Sequence, residues 1–188
     1  MSIGAYQKKV DEARGSIEVT FVSEWHDHPR FLDAVAGRVR EGLAQFPADA
    51  IVFTAHSLPE RILADGDPYA AQLRASVEGV MARVGEREHI LAFQSAGQTG
   101  ERWLGPHARE VLDDLAARGR TSVLLCPIGF VADHLEVLYD LDIDLASRAK
   151  RLGVRLERAP SLNASPLLIE ALVDLVQAAA RNRRWAAQ

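Results

Sequence analysis

The stretch AIVFTAHSLPERI, residues 50–62, begins as a run with almost no polar position and ends on His56 and a Ser-x-Pro turn. A short apolar run rich in β-branched and aromatic residues reads as a strand, here 50–54, buried on both faces. Strands of that kind belong to parallel sheets. Similar runs stand at 17–22 (IEVTFV), 90–93 (ILAF) and 123–127 (VLLCP), with a weaker one at 154–157 (VRLE). Helical periodicity fills the intervals. Phe31, Val35, Val39 and Leu43 recur at i+4; Leu73, Val77, Val80, Met81 and Val84 form a second stripe, and Val111, Leu112 and Leu115 a third. A last stripe carries Leu168, Ala171, Leu172 and Leu175.

Pro29, Pro106 and Pro166 sit near helix starts, and Gly119 and Gly153 follow helices, as capping glycines do. Strand and helix in alternation predict a three-layer α/β/α sandwich around a mostly parallel sheet of four to five strands, a single domain over 1–188. Residues 1–15, with a helix over 5–14, are expected to be peripheral, and the tail 183–188 to fray.

The bulk composition narrows the class. The chain has 188 residues, 48% of them hydrophobic, and a net charge of −4 with acids and bases interleaved. A full core is affordable in length, and no basic stripe marks a nucleic-acid partner. Cys126 is the single cysteine, so one chain forms no disulfide framework. With no apolar run of membrane-spanning length and no signal-peptide pattern at the start, a cytoplasmic protein is expected.

In a parallel α/β sheet, ligands bind outside the C-terminal ends of the strands. Three polar arrivals meet that rule. One strand ends at His56 and Ser57, another at Gln94 and Ser95, and the third runs into IGFVADHLEVLYDLDIDLA, residues 128–146. In the last segment Glu136, Asp140 and Asp144 fall at i, i+4 and i+8, which on an α-helix stacks them along one face roughly 6 Å apart. No Lys or Arg lies within 133–147 to offset them. Two readings fit: a solvated acidic face, or a file of oxygen ligands that attracts and passes divalent cations. Asp133 alone reads as a helix N-cap.

His56 by itself fits a hydrogen-bonded structural histidine as well as a catalytic one. His134 falls on another helix face from Glu136 and reads as structural, and Cys126 reads as a buried strand thiol. His26 and His28 in EWHDHPRF have no third ligand nearby, and Gly97 and Gly100 lack the context of a phosphate loop.

Taken together, TAHSLPERI, GDPYAAQL, FQSAGQT followed by WLGP, and PIGFVADHLEVLYDLD resemble the C-terminal half of ferrochelatases, most closely the coproporphyrin type. They fall in order and span nearly the whole chain. The resemblance implies a chelatase-like single lobe and insertion of Fe(II), a substrate, into a porphyrin, coproporphyrin III ahead of protoporphyrin IX, with no permanently bound cofactor. It implies that His56 is the cleft histidine, a metal ligand or acceptor of pyrrole protons, and that Glu136 is the acid facing it. Asp140 and Asp144 would continue an acidic line that delivers or holds a second divalent ion (Mg, Zn or Fe), on a helix wider than α. Trp103 would be an aromatic near the cleft; by the strand-end rule above, Ser57, Gln94 and Ser95 would line the binding side. Family members run to roughly twice this length, so the N-terminal lobe has no counterpart here. Three readings follow: a partial chelatase, a homodimer of half-size lobes, or a non-catalytic metal- or tetrapyrrole-binding module.

Overall fold

The structure, a computed structural model, describes residues 3–182, so the expectation for 183–188 lies outside the described residues. Helices α1 (Ile3–Ala13) and α2 (Pro29–Gln45) precede β1 (Ala50–His56). Then come α3 (Arg61–Ala64), α4 (Tyr69–Val84), β2 (His89–Gln94), α5 (Ala108–Ala117) and β3 (Ser122–Cys126). A composite helix follows: α6 (Leu135–Val137), a π-helical segment (Leu138–Leu145) and α7 (Ala146–Leu152). The chain closes with β4 (Arg155–Arg158) and α8 (Pro166–Asn182).

The four strands form one parallel sheet in the order β2-β1-β3-β4, with helices on both faces. Alternation along the strands sorts the core into two layers. Ile51, Phe53, Ala55, Leu124 and Cys126 pack with Phe31, Val35 and Val39 of α2, Val77 and Val80 of α4, and Leu168 and Ala171 of α8. Ala50, Val52, Ala92, Val123 and Leu125 face the other way, against Leu112 and Leu115 of α5 and Val137, Leu141 and Leu145 of the composite helix. Thr54, His56 and Gln94 continue the phase of this second layer, so their side chains lie on the composite-helix side of the sheet.

The segment 17–22 is not a strand. It joins none of the four strands, and Ile17 and Val22 are 67% and 37% exposed. A β-branched pattern describes a side chain that fits a pleated surface; it does not supply a neighbour to pair with. Here β1 is already flanked on both edges by β2 and β3. The stripe on α8 is also narrower than its periodicity suggests: Leu168 and Ala171 are buried, whereas Leu172 is exposed. The helix α1 is largely exposed, with Tyr6 at 60%. Among the described residues no helix is long and apolar enough to cross a membrane.

β1 runs two residues beyond its expected end and β2 one, so that His56 and Gln94 are the final, paired residues of adjacent strands. Close packing holds the end of β1 in place. Gly129 donates its N–H to the Thr54 carbonyl (3.0 Å), and a Cβ at Gly129 would lie 2.6 Å from the Ala55 Cβ and 2.8 Å from its Cα. Only glycine allows that approach, one residue before His56.

Candidate active site

His56 and Glu136 meet across the rim. His56 Nδ1 lies 2.6 Å from Glu136 Oε1. A carboxylate only accepts hydrogen bonds, so the contact places the imidazole proton on Nδ1 and leaves the Nε2 lone pair free. From behind, the Tyr69 hydroxyl donates to the His56 carbonyl (2.9 Å), while the Tyr69 N–H is anchored on Asp67 Oδ1 (2.9 Å). Burial, with Glu136 and Asp67 nearby, pushes the Tyr69 phenol up to about 12, so it remains a donor at any working pH.

Ser95, the residue after β2, joins the pair to the acidic line. Its hydroxyl donates to Glu136 Oε1 (2.7 Å) and is also in hydrogen-bonding contact with Asp140 Oδ2. The Ser95 backbone is left-handed, φ 61°, a region that costs a non-glycine residue roughly 1–2 kcal/mol. Burial pushes the Glu136 carboxyl up, but hydrogen bonds from His56 and Ser95, with the charges of His56 and His134, outweigh it and hold the group below the ordinary glutamate range.

The line itself departs from an α-helical file. Leu138–Leu145 is π-helical, with i→i+5 bonding that widens the turn beneath Asp140 and Asp144, as the resemblance implied. Its charges are also offset from outside the window. Asp144 Oδ2 takes Arg109 Nε (2.8 Å) and Nη2 (2.7 Å) from α5. Asp142 is held by both arms of Arg158 (2.7 and 2.8 Å). Asp133 is not an N-cap; that position belongs to His134, which packs edge-on against Phe130 at 4.9 Å. Asp133 instead accepts from Arg158 (3.0 Å), Ser161 (2.8 Å) and Asn163 (2.9 Å). Among the described residues, neither Glu136 nor Asp140 has a Lys or Arg within ion-pair distance. No three His, Cys, Asp or Glu side chains among them are close enough together to hold a metal ion by themselves.

Other predicted residues lie beneath or beside the rim. Ser57 is fully buried, its hydroxyl on the Leu104 carbonyl (2.8 Å) and its N–H on the Gln94 carbonyl (2.7 Å). It ties the loop after β1 to the loop after β2, which also pair at Pro59 and Trp103. The half-buried Trp103 ring donates to Thr99 Oγ1 (3.0 Å) and crosses so close over Gly97 that a Cβ there would lie 2.4 Å from it. Gln94 is 6% exposed, and its amide and the Thr54 hydroxyl have no partner among the described residues. A cavity of about 440 Å³ opens beside the line, bounded by Gln94, Ser95, His107, Arg109, Asp140 and Asp144. His28 stands at the start of α2, with Nε2 3.8 Å from Asp174 Oδ2, and the His26 carbonyl accepts from Ser76 (2.7 Å).

The Ferrochelatase family profile matches residues 1–180. The chain belongs to the ferrochelatase family. It is 44% identical to the ferrochelatase of Herpetosiphon aurantiacus, over 94% of this chain and 61% of that one. With the ferrochelatase of Geotalea daltonii it shares 42% identity, over 94% and 56%. With the coproporphyrin III ferrochelatase of Geobacillus kaustophilus it shares 38%, over 98% and 60%. The chain thus spans about 60% of the length of the curated relatives it matches.

In this member of the ferrochelatase family, the residue that reading the strand ends missed is Tyr69. It sits in GDPYAAQL, a stretch that carries the resemblance, but nothing in its spacing connects it to a histidine 13 residues earlier. Arg109, which closes the far end of the acidic line, gave no local signal either, since it lies 35 residues from Asp144.

Proposed function

We propose that this chain carries the catalytic lobe of a ferrochelatase and inserts Fe(II) into a porphyrin, coproporphyrin III in preference to protoporphyrin IX. The observation that carries the reading is the His56–Glu136 contact of 2.6 Å at the C-terminal rim of the sheet. Insertion replaces two pyrrole protons by one metal dication, so the site needs a base that can also face a cation. An imidazole, which both takes up a proton and ligates divalent metals, serves both needs. His56 Nε2 would accept the two pyrrole protons in turn, releasing the first to solvent before taking the second, and the Glu136 carboxylate would stabilise the imidazolium formed each time. A base fixed by Tyr69 behind and Glu136 beside it stays aligned as the macrocycle bends to expose its nitrogen lone pairs.

Asp140 and Asp144, on the cavity side, suit a hydrated divalent ion (Mg, Zn or Fe) through oxygen ligands, and the reading needs no permanent cofactor. Trp103, beside the loops after β1 and β2, would meet the macrocycle edge. The opposite wall of the cleft would come from an N-terminal lobe or from a second copy of this chain. The preference for coproporphyrin rests on the relative from Geobacillus kaustophilus alone.

The test is anaerobic incubation with Fe(II), or with Zn(II) as surrogate, and each porphyrin in turn, following the change in porphyrin absorbance. Metallation supports the reading. Porphyrin binding without metallation at any metal concentration would make the chain a tetrapyrrole-binding module instead.

A further inference from the structure

Ser95 breaks a local rule. Among the described residues only Ser95 and Asn163 are non-glycine residues with positive φ. Asparagine and aspartate tolerate that region; serine seldom occupies it. If the turn after β2 required only the backbone, glycine would fill it without penalty. A serine held there implies that the side chain is what the position needs, and the strain marks a functional constraint.

The side chain has a definite task. Glu136 and Asp140 are two carboxylates on successive turns of the composite helix, with no Lys or Arg among the described residues within ion-pair distance of either, and they repel. Ser95 Oγ contacts both, and for Asp140 it is the hydrogen-bonding partner the described residues supply. A hydroxyl has one proton to donate, so its proton is shared between the two carboxylate oxygens. The π-helical segment starts between Glu136 and Asp140, so the helix alone does not set the separation of their carboxylates. The left-handed turn aims the hydroxyl at the helix from the neighbouring strand end.

We propose that Ser95 is a positioning residue: its hydroxyl clamps the Glu136 and Asp140 carboxylates together beside His56, and its left-handed backbone exists to aim that hydroxyl. This replaces the expectation that Ser95 acts by touching the macrocycle, and it rests on the metal-insertion reading for its consequence in turnover. The clamp itself can be read without turnover.

Three variants test it: Ser95→Gly, which removes the hydroxyl and relieves the backbone; Ser95→Ala, which removes the hydroxyl and keeps the strain; and Asp140→Asn. Both Ser95 variants are expected to lower kcat roughly 10- to 100-fold with porphyrin affinity unchanged in a fluorescence titration. Adding Asp140→Asn to Ser95→Gly should cost less than Asp140→Asn costs in the wild type, because both changes open the same clamp. Loss of porphyrin affinity with kcat intact, or losses that simply multiply, would overturn the proposal. If the wild type does not metallate porphyrin at all, the metal-insertion reading fails by itself. The clamp then stands or falls on the urea midpoints of the single and double variants. Non-additive shifts support it and additive shifts overturn it. Ser95→Gly should also unfold at a higher temperature than Ser95→Ala, and the reverse order would contradict the backbone part of the proposal.

Discussion

His56 Nδ1 and Glu136 Oε1 stand 2.6 Å apart although 80 residues separate them in the chain. The contact exists because β1 ends one strand away from the loop that follows β3, and because the composite helix begins where that loop returns over the sheet. The fold therefore delivers the imidazole from a strand and the carboxylate from a helix, each backed by packed core. Precision of this kind depends on the residues beneath it.

Gly129→Ala is expected to act through that support. The added methyl would meet both the Cβ and the backbone Cα of Ala55, so β1 must shift at its last turn. Overpacking of this sort costs about 1–3 kcal/mol. The displaced end carries His56, so turnover should fall along with the midpoint of urea unfolding. Wild-type stability and activity in the variant would show that the strand end is more compliant than its packing indicates.

Asp133 should make the fold acid-labile. Its hydrogen bond from Asn163 leads the effects holding its carboxyl below the ordinary aspartate range, with Ser161 and Arg158 adding to it against the cost of burial. Because the folded value lies below the unfolded one, the unfolded chain binds more protons in the window between them, and stability there rises with pH. The contribution is complete above the unfolded value of roughly 3.9 and disappears as pH falls through the folded value. Urea midpoints measured from about pH 6 to about pH 3 should fall more steeply for wild type than for Asp133→Asn. Parallel curves would remove Asp133 from this account.

Cys126 should be inert. It is 4% exposed on β3, and burial pushes its thiol up to about 12, so almost no thiolate forms at neutral pH. Iodoacetamide should leave the native protein unmodified and label one thiol per chain in urea. Rapid labelling of the native protein would indicate that β3 opens locally.

Much of the framework could be read from local pattern. The strands at β1, β2 and β3, the helices between them and the approach of His56 to the 128–146 segment all follow from periodicity and the rule for parallel sheets. Residues 17–22 misled because a strand is completed by a neighbour, and their composition says nothing about whether one is free. The acidic line shows a different limit of local pattern. Its lack of nearby Lys or Arg is real, but Arg109 and Arg158 reach Asp144, Asp142 and Asp133 from other elements, and only the packing of α5 and β4 against the composite helix brings them there. Among the described residues that leaves Glu136 and Asp140 as the carboxylates of the 133–147 segment without a guanidinium, a narrower functional signal than the triple. The left-handed Ser95 had no sequence marker at all, since glycine or asparagine is the residue a positive φ ordinarily selects.

The proposed mechanism makes His56, held by Glu136, the base that removes pyrrole protons. The most direct measurement is the rate of Zn(II) or Fe(II) insertion into coproporphyrin III by wild type and His56→Ala under identical anaerobic conditions, with porphyrin affinity measured in parallel. A fall of about 10²- to 10⁴-fold in insertion with affinity largely retained is the expected result. Equal rates for the two proteins would contradict the assignment of His56 and, with it, the proposed mechanism.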